Sequence, residues 1–124
     1  MDALLIVEDD DNLRKLYTEE FVEEGYRVIS AGNSHDALRA LDQEIPDVAI
    51  LDLVMPGIDG IELLERFVKQ APQLPVIINT AYPAYQHNYL TWSADAYIVK
   101  SSDLAELKRT VAMILSNRRD EAIS

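Results

Sequence analysis

The sequence predicts an α/β domain in which a parallel β-sheet carries helices on both faces. Two observations lead to this prediction. Short apolar segments alternate with longer segments of helical period, five times along the chain, which is the pattern of parallel strands joined by crossover helices. The length of 124 residues and the hydrophobic content of 48% suit one domain with its own core, so we interpret 1–124 as a single domain.

The five predicted strands are short and rich in Val, Ile, Leu or Tyr, as expected for strands that are covered on both faces. They are Ala3 to Val7, Tyr26 to Ser30, Val48 to Leu51, Val76 to Asn79 and Ala96 to Val99.

The first three helices are predicted from apolar residues at helical spacing and from signals at their ends. The first runs from about Asn12 to Glu24 and stops at Gly25, because glycine readily takes the left-handed conformation that follows a helix. Ser34 is expected to cap the second helix. The inner face of the third is marked by Ile61, Leu64 and Val68.

The last two helices differ in how clearly they are marked. A short fourth helix is predicted at Ala84 to Trp92, after Pro83. The fifth begins with the capping-box spacing of Asp103 and Glu106, and its inner face carries Leu104, Leu107, Val111, Ile114 and Leu115. The polar segment 117–124 is expected to be a frayed tail.

Composition narrows the classes of function. The formal net charge of −11 repels phosphate backbones and anionic lipid surfaces, so we expect no direct binding to nucleic acid or to membranes. The chain has no cysteine, which excludes disulfides and thiolate metal sites. No secretory signal or long apolar stretch is found, and we expect a cytoplasmic location.

Carboxylates follow two of the predicted strands. Glu8, Asp9, Asp10 and Asp11 come directly after the first strand, and Asp52 ends the third. The first four could form a solvated turn at a helix N-terminus. In a doubly wound sheet, however, neighbouring strands that diverge to opposite faces leave a crevice at their carboxyl ends. Asp9 and Asp52 would then converge there around a hard cation, and Mg²⁺ fits best.

Two further polar residues end strands at the same predicted edge. Thr80 follows the fourth strand and Lys100 the fifth. Taken singly, each could be a helix cap or a solvated side chain. Taken together with the acids, they supply what phosphoryl transfer to Asp52 requires: a nucleophile, a metal site, a hydroxyl donor and a cation.

These motifs resemble the receiver domains of two-component response regulators, the CheY-like superfamily. The resemblance covers nearly the whole chain and implies a flavodoxin-like doubly wound sheet of five parallel strands, in the order 2-1-3-4-5, with five helices. It also implies a role for each site residue. The segment from Leu5 to Asp10 resembles the acidic pair after strand one, with Asp9 a direct Mg²⁺ ligand and Glu8 acting through water.

The remaining motifs complete the resemblance. Residues 47–57 resemble the phosphoacceptor strand and loop, with Asp52 as the acceptor and the Val54 carbonyl as a further metal ligand. Thr80 is similar to the switch threonine. Residues 95–100 resemble the last strand, with Tyr97 as the switch aromatic and Lys100 as the phosphate-binding lysine.

Two departures from the family pattern have consequences. Ser101 follows Lys100, where the family usually has proline. Because a non-proline cis bond costs about 3 kcal/mol, we predict a trans Lys100–Ser101 peptide. The segment from Thr80 to Lys100 is also slightly shorter than usual, and it contains the predicted fourth helix.

The main interpretation is a signalling switch. A sensor histidine kinase or a phosphotransfer protein would phosphorylate Asp52, and the face formed by the fourth helix, fifth strand and fifth helix would change its binding to a downstream protein or output domain. A phosphorylation-dependent homodimer stays open. Val54 and Tyr82 are expected to hinder the water that hydrolyses the acyl phosphate.

Two alternatives belong to other classes. A Mg²⁺-dependent aspartyl-phosphate phosphohydrolase typically requires a second carboxylate two positions after the nucleophile, as general acid and base. Here Val54 occupies that position. A pseudo-receiver that only binds proteins would be expected to lack Asp52 or Lys100. As a regulatory phosphoacceptor, the domain is not expected to be an enzyme beyond its own phosphorylation and dephosphorylation.

Overall fold

Five parallel strands form one sheet in the order 2-1-3-4-5, as predicted. The computed structural model describes residues 1–53, 60–81 and 94–123, with side chains up to Arg119 in the last helix. The strands are β1 (Ala3–Val7), β2 (Arg27–Ala31), β3 (Val48–Leu51), β4 (Val76–Thr80) and β5 (Ala96–Val99).

Four helices lie in the described part of the chain: α1 (Asp11–Glu23), α2 (Ser34–Gln43), α3 (Gly60–Gln70) and α4 (Ala105–Ile123). The predicted fourth helix, 84–92, lies outside the described residues. After α1, Gly25 has a φ of 99°, the left-handed conformation expected there.

The caps of the helices correct one prediction. The Asp10 side chain caps α1 by accepting a hydrogen bond from the Leu13 amide. Asn33, and not Ser34, caps α2, because its side-chain oxygen accepts from the Asp36 amide at 2.8 Å. Ser34 is therefore the first residue of that helix.

The last helix continues through the segment that was expected to fray at Asn117. Tertiary contacts explain the difference. Arg118 donates a hydrogen bond to the Asp47 carbonyl at 2.6 Å, and Arg119 pairs with the Asp2 carboxylate. These contacts fasten the end of α4 to the amino edge of the sheet.

The hydrophobic core has two layers, one on each face of the sheet, because side chains alternate along each strand. Leu5 and Val7 of β1 pack on the side of α2 and α3, with Leu41 and Phe67. The other layer lies beneath α1 and α4 and contains Leu4, Ile6, Phe21, Ile77 and Val111. Within the described residues, no helix is long and apolar enough to cross a membrane.

Candidate metal-binding site at the carboxyl edge of the sheet

Hydrogen bonds between strand ends fix the backbone of the candidate site. The Glu8 amide donates to the Ala31 carbonyl at 3.0 Å, and the Asp52 amide donates to the Val7 carbonyl at 3.2 Å. At the ends of β4 and β5, the Lys100 amide donates to the Thr80 carbonyl at 2.7 Å. Together with the parallel pairing of β3 and β4, these contacts place the ends of all five strands at one edge.

Lys100 joins two carboxylates that come from different strands. Its Nζ donates to Glu8 Oε1 at 2.5 Å and to Asp52 Oδ2 at 2.8 Å. The Glu8 and Asp52 side chains are only 3% and 7% exposed, and that of Lys100 is 17% exposed. The interaction is therefore largely shielded from water. Because Ser101 continues the chain with a trans peptide bond, as predicted, Lys100 reaches this position without a cis bond.

Asp9 adds a third carboxylate to this pair. One oxygen from each of Glu8, Asp9 and Asp52 lies within 4.8 Å of the others. Carboxylate oxygens are the ligands that Mg²⁺ prefers, and a Mg²⁺ site commonly uses one or two of them and keeps several waters. Asp9 is not buried, so its side of the cluster is open to such waters. The donor set therefore fits Mg²⁺.

Burial and charge act in opposite directions on these groups. Burial raises the pKa of the Glu8 carboxyl above its ordinary value, although the hydrogen bond from Lys100 opposes that shift. Burial by itself would lower the pKa of the Lys100 ammonium, but the hydrogen bonds to Asp52 and Glu8 outweigh it and raise that pKa. Lys100 thus stays charged near neutral pH.

The other predicted site residues occupy different surroundings. Thr80 is fully buried at the end of β4. Tyr97 pairs in register with Ile78 and is half-buried against the core layer of α2 and α3. Val54 and Tyr82 lie outside the described residues.

A buried polar pair next to the site had no role in the sequence interpretation. Tyr17 of α1 and Asn79 of β4 are 3% and 4% exposed, and their side chains are hydrogen-bonded to each other. Burial raises the pKa of the Tyr17 phenol, and the charges of Lys100, Glu8 and Asp52 act on it as well. The polar site therefore extends into the core beneath α1. The sequence gives no signal for this pair, because both residues fall at positions of apolar periodicity.

The protein is thus an α/β domain with a doubly wound sheet, and the three carboxylates and the lysine lie at the switch point, where ligands of such sheets bind. Residues 4–112 match the family model of the response regulator receiver domain. The chain therefore belongs to this family, whose members are regulatory domains.

Relatives and solved structures agree with the family model. The chain is 38% identical over 120 residues to the transcriptional activator protein PfeR of Pseudomonas aeruginosa, covering 94% of the chain and 39% of PfeR. It thus spans well under half of that relative. Among solved structures, the response regulator TrrA of Thermotoga maritima in complex with Mg²⁺-BeF is 38% identical, with a TM-score of 0.88 and coverage of 92% of this chain and 99% of TrrA.

A second solved structure contains TrrA in complex with the histidine kinase ThkA. Its matching chain is 39% identical, with a TM-score of 0.87, and the match covers 93% of this chain and 99% of that one. The similarity to TrrA is therefore a similarity over the whole receiver fold.

Proposed function

We propose that this chain is a phosphorylation-controlled switch that accepts a phosphoryl group on Asp52 from a sensor histidine kinase or a phosphotransfer protein. The observation that carries the proposal is the contact of Lys100 with Asp52 and Glu8, beside a third carboxylate. This contact gathers a nucleophile, a fixed cation and a metal-binding group at one sheet edge. The complex of TrrA with ThkA supports the choice of donor.

The reaction is a transfer between two protein side chains. A carboxylate oxygen of Asp52 forms a bond to phosphorus while the bond from phosphorus to the donor's histidine nitrogen breaks. The electron pair of that bond returns to the nitrogen, and the product is an acyl phosphate. Lys100 would then pair with a phosphoryl oxygen, and the Thr80 hydroxyl would donate to another.

Three side chains and one carbonyl would hold the metal. Asp9 and Asp52 would bind it directly, Glu8 through water, and the Val54 carbonyl would be a further ligand. A bound Mg²⁺ offsets the negative charge of the incoming phosphoryl group. Asp9 would still hold the metal when Asp52 is phosphorylated.

The signal would leave the site through β4 and β5. Thr80 moves toward the phosphoryl group, and Tyr97 on the neighbouring strand takes up the space that it leaves. The surface around β5 and α4 then changes its binding to a downstream protein or to an output domain. From this role we expect self-phosphorylation by small donors, slow self-dephosphorylation and a cytoplasmic location.

The test is phosphorylation by a small-molecule phosphodonor with Mg²⁺, followed by intact-protein mass measurement. The wild type should gain one phosphoryl group, and Asp52→Asn should gain none. Asp42→Asn, at an exposed position of α2, is the matched control and should react like the wild type. Undiminished labelling of Asp52→Asn would overturn the acceptor assignment.

A further inference from the structure

Arg14 of α1 spans the acidic turn from outside. Its Nη1 donates a hydrogen bond to the Glu8 carbonyl at 2.9 Å, and its Nη2 pairs with Asp11 Oδ1 at 2.5 Å. The guanidinium therefore touches both ends of the turn that contains Asp9. The Asp11 side chain is 87% exposed, so this ion pair adds little by itself. The hydrogen bond to the Glu8 carbonyl is part-buried. Because its acceptor is a backbone atom, it fixes the position of the main chain at Glu8.

Gly32 provides the space in which the guanidinium lies. A Cβ atom on Gly32 would lie 2.7 Å from Arg14 Nη1, closer than real Cβ atoms approach other heavy atoms, and 3.2 Å from Arg14 Cζ, a tight contact. Gly32 directly follows Ala31, whose carbonyl accepts from the Glu8 amide. Among the described residues, only Gly25 has a positive φ. The Gly32 backbone is thus compatible with alanine, and the side chain of Arg14 is what an added methyl group would displace.

We propose that Arg14, seated against Gly32, is a positioning residue that holds the Glu8–Asp11 turn in the conformation that binds the metal. The inference rests on the metal site of the proposed function. A positioning role and a simple charge effect predict opposite changes in Mg²⁺ affinity when Arg14 is removed. A cation removed from the neighbourhood of a Mg²⁺ site would strengthen metal binding by removing repulsion, whereas a lost positioning contact weakens it.

The experiment measures Mg²⁺ affinity by calorimetry in four variants beside the wild type. Arg14→Ala and Gly32→Ala should each weaken binding about tenfold, the lower end for supporting residues at metal sites. Arg14→Lys keeps the charge but not the planar fork of donors, so it should also weaken binding. Lys15→Ala removes the same charge from the adjacent, exposed position and should leave binding unchanged or slightly tighter.

The combination of Arg14→Ala with Gly32→Ala completes a double-mutant cycle. If Gly32 acts only through Arg14, the double variant binds Mg²⁺ as Arg14→Ala does. Thermal unfolding in EDTA checks the fold, and Gly32→Ala should keep the wild-type melting temperature because only the tip of a flexible side chain moves.

The outcomes separate this inference from the proposed function. Wild-type affinity in Arg14→Ala and in Gly32→Ala would overturn the positioning role while leaving the metal site intact. Tighter binding in Arg14→Ala would show that Arg14 acts as a charge only, and would overturn it too. If the wild type itself binds no Mg²⁺, the metal site and the inference are both wrong.

Discussion

Removal of the Lys100 ammonium should destabilise the metal-free protein and make its stability depend on Mg²⁺. In Lys100→Met, Glu8 and Asp52 would lose the cation that lies 2.5 and 2.8 Å from them. Their oxygens and one of Asp9 lie within 4.8 Å of one another. Two unit charges at such a distance repel by about 3 to 4 kcal/mol at an effective dielectric constant near 20.

The expected loss is smaller than the sum of these repulsions. Breaking a buried ion pair costs about 3 to 5 kcal/mol, and the Lys100 side chain, 17% exposed, retains some contact with water. We expect a loss of about 3 kcal/mol in EDTA, which for a domain of this size lowers the melting temperature by on the order of 10 °C. Mg²⁺ should bind the variant at least as tightly as it binds the wild type, because no ammonium competes for the same oxygens.

Urea denaturation in EDTA and in saturating Mg²⁺ measures both effects. Lys108→Met is the matched control, since Lys108 Nζ lies 3.0 Å from Glu20 and 3.3 Å from Glu24 on the surface. Its loss should change stability little, because ion pairs exposed to water contribute little to folding, and the effect should not depend on Mg²⁺. Equal stability of Lys100→Met and the wild type in EDTA would refute the reasoning.

Three further predictions concern other positions of the chain. Asp9→Ala should lower Mg²⁺ affinity and phosphorylation together, and a normal metal titration would exclude its role as a ligand. Val54→Asn and Tyr82→Glu should each speed loss of the phosphoryl group about fivefold, equivalent to about 1 kcal/mol, because a polar side chain can orient the attacking water; unchanged lifetimes at saturating Mg²⁺ would contradict this. Asn79→Leu should lower the free energy of unfolding, measured by urea denaturation, by about 1 to 3 kcal/mol, since it removes the partner of the buried Tyr17 hydroxyl. If the loss of their hydrogen bond is the cause, adding Tyr17→Phe should recover most of that stability.

Strand positions could be predicted because all five are short runs rich in Val, Ile, Leu or Tyr; β1, β3 and β4 are buried throughout, whereas the edge strands β2 and β5 are partly exposed. The bounds of β1, β3 and β5 agree with the predicted segments, β2 begins and ends one residue later, and β4 ends one residue later. The convergence of Asp9, Asp52 and Lys100 follows from the same pattern, because parallel strands end at one edge. Charged residues at such strand ends are visible in the sequence before the fold is known.

Helix ends were less predictable because several residues compete for the same local role. Asn33 and Ser34 are adjacent potential caps, and the choice depends on which oxygen reaches the Asp36 amide. The continuation of α4 past Asn117 depends on Arg118, whose partner lies in another part of the chain. Local polarity alone therefore gave the wrong end for this helix.

Contacts with main-chain atoms explain why Arg14 was missed. Its partner is the carbonyl of Glu8, and every residue type supplies a carbonyl, so the partner leaves no mark on the sequence. Arg118, bound to the carbonyl of Asp47, is hidden for the same reason. A glycine at position 32 is equally ambiguous, because its purpose is the space that it leaves for Arg14 and not a turn that requires positive φ. Metal ligands can thus be predicted from the sequence, because their side-chain chemistry suits a cation. The residue that holds their backbone cannot, because its contact depends on how α1 packs against β2.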